Sequence, residues 1–296
     1  MLRVIVAAIT PGNLFGWIAL ALGGMSVAAV FEAGTGVVLP DPLAPVRAAY
    51  EHLLAATVGR VEVIYKPPIA WVNDTFGLDL SLPPVWTHVF VLLGVYFFRE
   101  AAINVREKHH HSAVFNVIVG AACGLCASAF IAALSRSGLP AAGTLASLSV
   151  VFAAFVYHQA GTLWDATVNR ALLAGSRNQP VPSWGAHYLN GLRRGGLRLV
   201  MGSLIAVALM QVPMIRALPE PSLLVSLLLV FAFAVYWLAD GVRDARLIRR
   251  KGETAEGAYL RSAHTQLGLD MLRPFIGLSI ILIASAVYRA VLRLRG

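Results

Sequence analysis

LPAAGTLASLSVVFAAFVYHQAGTLWDATVNR (residues 139–170) and LPEPSLLVSLLLVFAFAVYWLADGVRDARLIR (residues 218–249) align without a gap, and this match organises the chain. Identical pairs are Leu139/Leu218, Pro140/Pro219, Leu145/Leu224, Ser147/Ser226, Leu148/Leu227, Val151/Val230 and Phe152/Phe231. Then come Ala153/Ala232, Val156/Val235, Tyr157/Tyr236, Ala160/Ala239, Asp165/Asp244, Ala166/Ala245 and Arg170/Arg249, which makes 14 identities in 32 positions. Apolar composition alone matches many Leu, Val and Ala. It does not also bring Pro, Tyr, Asp and Arg into register. The segments that follow agree: Leu197-Arg198 and Gly202 correspond to Leu272-Arg273 and Gly277. Two tandem helical hairpins are therefore expected. A weaker third copy starts at Val95-Tyr96, with Asn104 where the others have Asp165 and Asp244, and Asn116 where they have Arg198 and Arg273.

Working outward, 58% of the 296 residues are hydrophobic and 13% are charged. A soluble domain carries about 25% charged residues, so these polar side chains are too few to cover a water-facing surface. The mean hydropathy of +0.71 agrees. A spanning helix needs roughly 20 apolar residues. Candidates lie at 13–31, 85–102, 112–134, 142–164, 197–215, 221–239 and 272–292. The expected fold is all-α: a polytopic integral membrane helical bundle of about seven transmembrane helices with tandem parallel helical-hairpin repeats. Its parts are an N-terminal transmembrane helix (1–31), an external loop with an amphipathic interfacial helix (32–84), the weak hairpin copy (85–137) and two hairpin repeats (138–216 and 217–296). All copies run in one direction, so they relate about an axis along the membrane normal. The first helix also has the outline of a signal peptide, with Arg3 before it and Ser26-Val27-Ala28 as a cleavage site. Its long apolar run favours retention.

Charge sets the orientation. The net charge of +9 sits mainly at the ends of apolar runs, which excludes a nucleic-acid surface as its reason. Alternate loops hold Arg99, Arg106 and Lys108; Arg170, Arg177, Arg193 and Arg194; and Arg243, Arg246, Arg249, Arg250, Lys251 and Arg261. The loops between them hold only Arg136 and Arg216. The positive-inside rule puts the basic loops and the N-terminus in the cytoplasm. Arg289, Arg293 and Arg295 then fall on the outer side, against the rule. Lys66, Lys108 and Lys251 are the only lysines, a bias that points to a GC-rich bacterial genome and an inner membrane. In the external loop, Leu43, Val46, Tyr50, Leu53, Leu54, Val61 and Ile64 recur at helical spacing, and Pro67-Pro68 is expected to end that helix. Trp71, Phe76 and Trp86 suit the headgroup level.

The repeat also nominates side chains. Tyr96, Tyr157 and Tyr236 stand eight residues, about two turns, before Asn104, Asp165 and Asp244. The aspartates are expected to clasp Arg198 and Arg273 at the inner interface, or to form a ring at a pore mouth. His158 and Gln159 are the intramembrane polar candidates. Arg193, Arg194, Arg249 and Arg250 are expected to meet anionic lipid headgroups at the cytoplasmic face. Cys123 and Cys126 sit among small residues, with Gly120 and Gly124 as a close-packing pair, and read as structural. His109-His110-His111 has no acidic or cysteine partner at ligand spacing, so no metal and no cofactor are expected.

No phosphate loop, nucleophile elbow or paired catalytic carboxylate occurs. The favoured function is a non-catalytic structural or docking subunit of a membrane complex, packed on other membrane subunits or on itself as a homo-oligomer, with no nucleic-acid partner. An oligomeric channel or transporter for a small solute is the alternative, and a membrane redox enzyme a third reading. The topology has a direct test. Single cysteines placed beside Arg106, Arg193 and Arg249 are expected to stay unlabelled by an impermeant maleimide on intact cells and to label after lysis. Labelling from outside would invert the assignment.

Overall fold

Among the described residues all regular structure is helical, as the absence of strand-like alternation requires. The structure is a computed structural model that describes residues 14–38, 44–79, 88, 114–115, 117–118, 130–131, 133–134, 136–171, 174, 180–250, 252, 254 and 263–295. In chain order the helices are α1 (Leu14–Thr35), α2 (Ala44–Phe76), α3 (Ala142–Trp164), α4 (Trp184–Gln211), α5 (Pro213–Arg216), α6 (Pro221–Arg249) and α7 (Ala263–Arg295). A π-helical turn, Asp165–Asn169, prolongs α3. The ends follow local chemistry. Ser183 caps α4, its hydroxyl accepting from the Ala186 amide at 3.2 Å. Pro221 opens α6 where no amide donor is needed, and Arg246 and Arg249 sit in its last turn against the helix dipole.

Among the described residues three helical segments are long and apolar enough to cross a membrane: Ala142–Val168, Pro221–Arg249 and Met271–Leu294. They fall on the expected spans at 142–164, 221–239 and 272–292. The expected spans at 85–102 and 112–134 lie almost wholly outside the described residues. The expected span at 13–31 falls on α1, a helix of 22 residues. One expected span needs correction. The expected span at 197–215 is broken: Val212 is extended (φ −65°, ψ 122°), and Pro213 cannot donate to the previous turn. A second correction concerns α2, which runs through Pro67 and Pro68 to Phe76. The proline ring fixes φ near the helical value, so the pair removes two amide donors without stopping the helix here.

The core is built on α6, which packs against α1, α3, α4 and α7. α3 and α4 are antiparallel, with Gly143 beside Met210, Val151 beside Gly202 and Thr162 beside Gly191. α6 and α7 are likewise antiparallel: Phe231 meets Phe275 edge-on at 5.1 Å, and Gly241 lies on Thr265. α3 and α6 begin at the same end, where the Ser147 hydroxyl donates to the Ser222 carbonyl at 3.4 Å. Both serines at the matched positions, Ser147 and Ser226, are buried. Val27, Val30, Ile131, Leu223 and Leu227 form one core cluster. Val151, Ala206, Met210, Val225 and Leu229 form another.

α1 lies alongside α6 and α7 and is held by close backbone approach. A Cβ on Gly24 would stand 2.9 Å from Gly277 Cα, and one on Gly23 would stand 2.7 Å from the Pro274 ring. Beyond α1, Gly36 turns with φ +71° and seats against Pro219, while the Glu220 amide donates to the Gly34 carbonyl at 3.3 Å. The start of α2 is tied to α1 by Arg47–Glu32 at 2.8 Å and by a chain in which Tyr50 Oη meets Ser26 Oγ at 2.8 Å and His88 Nδ1 at 2.7 Å. Burial pushes the Tyr50 hydroxyl above its usual pKa. The neutral form is therefore favoured in the fold, and this contribution is lost only as pH rises above about 10 through the raised value.

The α1–α7 crossing has a measurable signature. Gly277→Ala forces the backbones apart and is expected to cost about 1–3 kcal/mol, read as a lower melting temperature in detergent. Gly161→Ala meets nothing within 4 Å and is expected to leave the melt unchanged or slightly raised. Equal melts for the two variants would mean that the crossing carries no stability.

Candidate functional site

The nominated polar residues converge at the end where α3 and α6 finish and α4 begins. Arg198 is the hub. Its Nη2 donates to Tyr236 Oη at 3.4 Å and to Asp240 Oδ2 at 3.5 Å, and its guanidinium carbon lies 4.9 Å from the Tyr236 ring centre. Its Nη1 is 3.3 Å from His158 Nδ1. Arginine only donates, so Nδ1 accepts and the imidazole proton sits on Nε2. From there it points to the Gly191 carbonyl at 3.3 Å. Asp240 also accepts from Arg243 Nη2 at 3.2 Å, one turn away on α6. The Arg198 and Asp240 side chains are 21% and 11% exposed, which sets this pair apart from a surface ion pair.

Glycines let these groups meet. A Cβ on Gly195 would overlap the Gln159 amide and come within 2.5 Å of the His158 ring. A cavity of about 20 Å³ lies between His158, Arg198, Tyr236 and Trp237, room for about one water. Beside it the Gln159 amide is buried, and neither its oxygen nor its nitrogen has a hydrogen-bond partner among the described residues. The Trp164 indole N–H is in the same state, its ring stacked on Phe115 at 5.0 Å. The arrangement provides a fixed cation with a carboxylate, a phenol and a neutral imidazole around it. Among the described residues no three His, Cys, Asp or Glu side chains gather as a metal-binding set.

The expected residues fare differently. His158, Arg198 and Tyr236 come together, with Gln159 next to them. Arg198 reaches across to α6 of the neighbouring hairpin and takes Asp240, while the expected clasp to Asp165 rests on a side chain outside the described residues. The distance that matters is set by α4 packing on α6. Asp165 opens the π turn, whereas Asp244 lies half-buried in regular helix, so the matched aspartates are not in equivalent backbone. Tyr96, Asn104 and the Asp165 side chain lie outside the described residues. Tyr157 is half-buried on α3. Arg273 is buried at 6% exposure, next to the Pro274 that packs on Gly23. Arg193, Arg194, Arg249 and Arg250 are exposed at the same end as the cluster. His88 is bonded to Tyr50 and is not among the residues that line the cavity beside His158. Cys123, Cys126 and His109-His110-His111 lie outside the described residues.

Asp240 is the residue that the repeat passed over. Its aligned partner is Gly161, so alignment gave it no weight. The available signal was its position four residues after Tyr236, on the same helix face. Comparison of the chain with known protein families, curated proteins and solved structures finds no match.

A double-mutant cycle measures the hub. Removing one partner of a fully buried pair costs about 3–5 kcal/mol, and partial exposure at 3.5 Å brings this down to about 1–3 kcal/mol. Asp240→Asn and Arg198→Gln are each expected to lower the melting temperature, while the double variant is less damaged than the sum. Strict additivity would deny the pairing.

Proposed function

We propose that the chain is an integral protein of a bacterial inner membrane, N-terminus in the cytoplasm, and works as a non-catalytic structural or docking subunit of a membrane complex. In this reading residues 85–134 provide two further crossings, and α3–α4 and α6–α7 descend from one duplicated hairpin. The matched closures support the duplication: Thr162 on Gly191 in one hairpin and Gly241 on Thr265 in the other stand within one residue of aligned positions, with glycine and threonine exchanged.

The observation that carries the docking role is the outer face of α4. Gly195, Gly202, Ala206 and Met210 are buried against α3 and α6. The opposite stripe, Leu197, Val200, Met201, Leu204 and Ile205, is 41–65% exposed at helical spacing. The apolar stretch behind it, 199–211, is only ~20 Å long, against a hydrocarbon core of about 30 Å. Arg198 stands at one end of the stretch and the Val212 break at the other. A short apolar segment in a thick bilayer is relieved by association with protein. A second membrane subunit, or a second copy, fits this stripe better than lipid does.

A channel or transporter is the second reading, favoured by the buried Arg198–Asp240 pair. Depth weighs against it. Asp240 lies ~28 Å along α6 from Pro221, at the boundary of the apolar layer and away from the midplane where coupling carboxylates act.

Extraction in mild detergent decides. The particle is expected to exceed the 31.6 kDa protomer mass by a defined amount, and a photocrosslinker at Leu204 is expected to join one defined polypeptide. Leu204→Arg is expected to dissociate the particle. A monodisperse protomer, with crosslinks to lipid alone, would end the docking reading.

A further inference from the structure

We propose that the outer end of α7 binds an anionic phospholipid, its phosphodiester held by Arg289 and Arg293 and one acyl chain laid in the groove below them. The proposal rests on the membrane placement given above. Arg289 and Arg293 stand one turn apart on the side where the short loops hold only Arg136 and Arg216. A groove of about 440 Å³ lies between α7 and the segment that follows α1. Its size is within the range of small-molecule sites. Leu282, Ala286 and Ala290 line it from α7, and Val37 lines it from the other side. These residues share one face of α7 with Arg289 and Arg293. Leu282 to Arg293 covers ~17 Å of helix, about one leaflet of a 30 Å core. Cations at one end and an alkyl floor along the rest reproduce the polarity of a single lipid.

Charge complementarity selects an anionic headgroup. No carboxylate lines the groove among the described residues. Arg289 Nη2 donates to the Val38 carbonyl at 3.5 Å, which braces the side chain against the 36–38 turn and uses one of its five N–H groups. The remaining donors match the paired oxygens of a phosphodiester, as guanidinium groups do elsewhere. The helix C-terminus lies just beyond, where its carbonyls favour the arginines.

The full chain is reconstituted in phosphatidylcholine nanodiscs containing a small fraction of phosphatidylglycerol, and lipids retained on gentle release are counted by native mass spectrometry. The wild type is expected to keep one phosphatidylglycerol more than Arg289→Gln/Arg293→Gln, with affinity at least about tenfold higher. Ala286→Trp fills the groove while keeping both charges, and it is expected to lose the same lipid. Arg193→Gln/Arg194→Gln, at the other end, is expected to retain it. Equal retention by the wild type and both outer-end variants overturns the site. A melt raised by millimolar inorganic phosphate as much as by the lipid overturns the phospholipid assignment. A chain that does not float with liposomes defeats the membrane placement itself, an outcome distinct from flotation without lipid selectivity.

Discussion

Close approach of helix backbones at glycine is the constraint on which this structure depends. In the membrane placement proposed above, no hydrophobic driving force acts between helices, so dispersion contacts at short range must hold the bundle. Such contacts fall off steeply with separation. Gly24 on Gly277, Thr162 on Gly191 and Gly241 on Thr265 set the spacing of three helix pairs. Each depends on the absence of one methyl group. The spacing then fixes everything between the helices, including the reach of Arg198 to Asp240.

The polar hub shows two opposing effects at similar strength. Taking a guanidinium and a carboxylate from water is costly, and their attraction offsets that cost only with good geometry. Here the attraction is shared: Asp240 answers two arginines, and Arg198 has a phenol, an imidazole and a ring face besides the carboxylate. The Gln159 amide, buried beside them with neither atom bonded among the described residues, is the uncompensated part. A buried unsatisfied polar group typically costs about 1–3 kcal/mol. A single water in the adjoining cavity has the polar neighbours it needs, His158, Arg198 and Tyr236.

Helix class and the position of the most apolar helices are legible in the sequence because they are sums over many residues. The spans at 142–164, 221–239 and 272–292 needed only composition and length. Breaks and continuations are not sums. Val212 and Pro213 end α4 inside an apolar run, while Pro67 and Pro68 fail to end α2, and single-residue rules point the wrong way in the second case. The site was half legible. His158, Arg198 and Tyr236 are rare side chains in an apolar setting and stand out. Their partner Asp240 carries one local signal, its place four residues after Tyr236, but the pairing depends on which helix neighbours α4, a tertiary fact. Alignment of the repeats marks Asp165 and Asp244 and passes over Asp240, whose aligned partner is Gly161.

The seating of α1 has a consequence for how the molecule is made. Gly24 meets Gly277, 253 residues later in the chain. At about 5–20 residues per second, a ribosome delivers the second glycine roughly 10–50 s after the first. During that interval α1 is without its main neighbours, since α6 and α7 are the last helices to emerge. In the membrane placement proposed above, its small-residue face, Gly23 and Gly24, must wait in the bilayer or beside the insertion machinery without finding another glycine-bearing helix. Final closure is then a single late lateral event, in which the newest part of the chain captures the oldest.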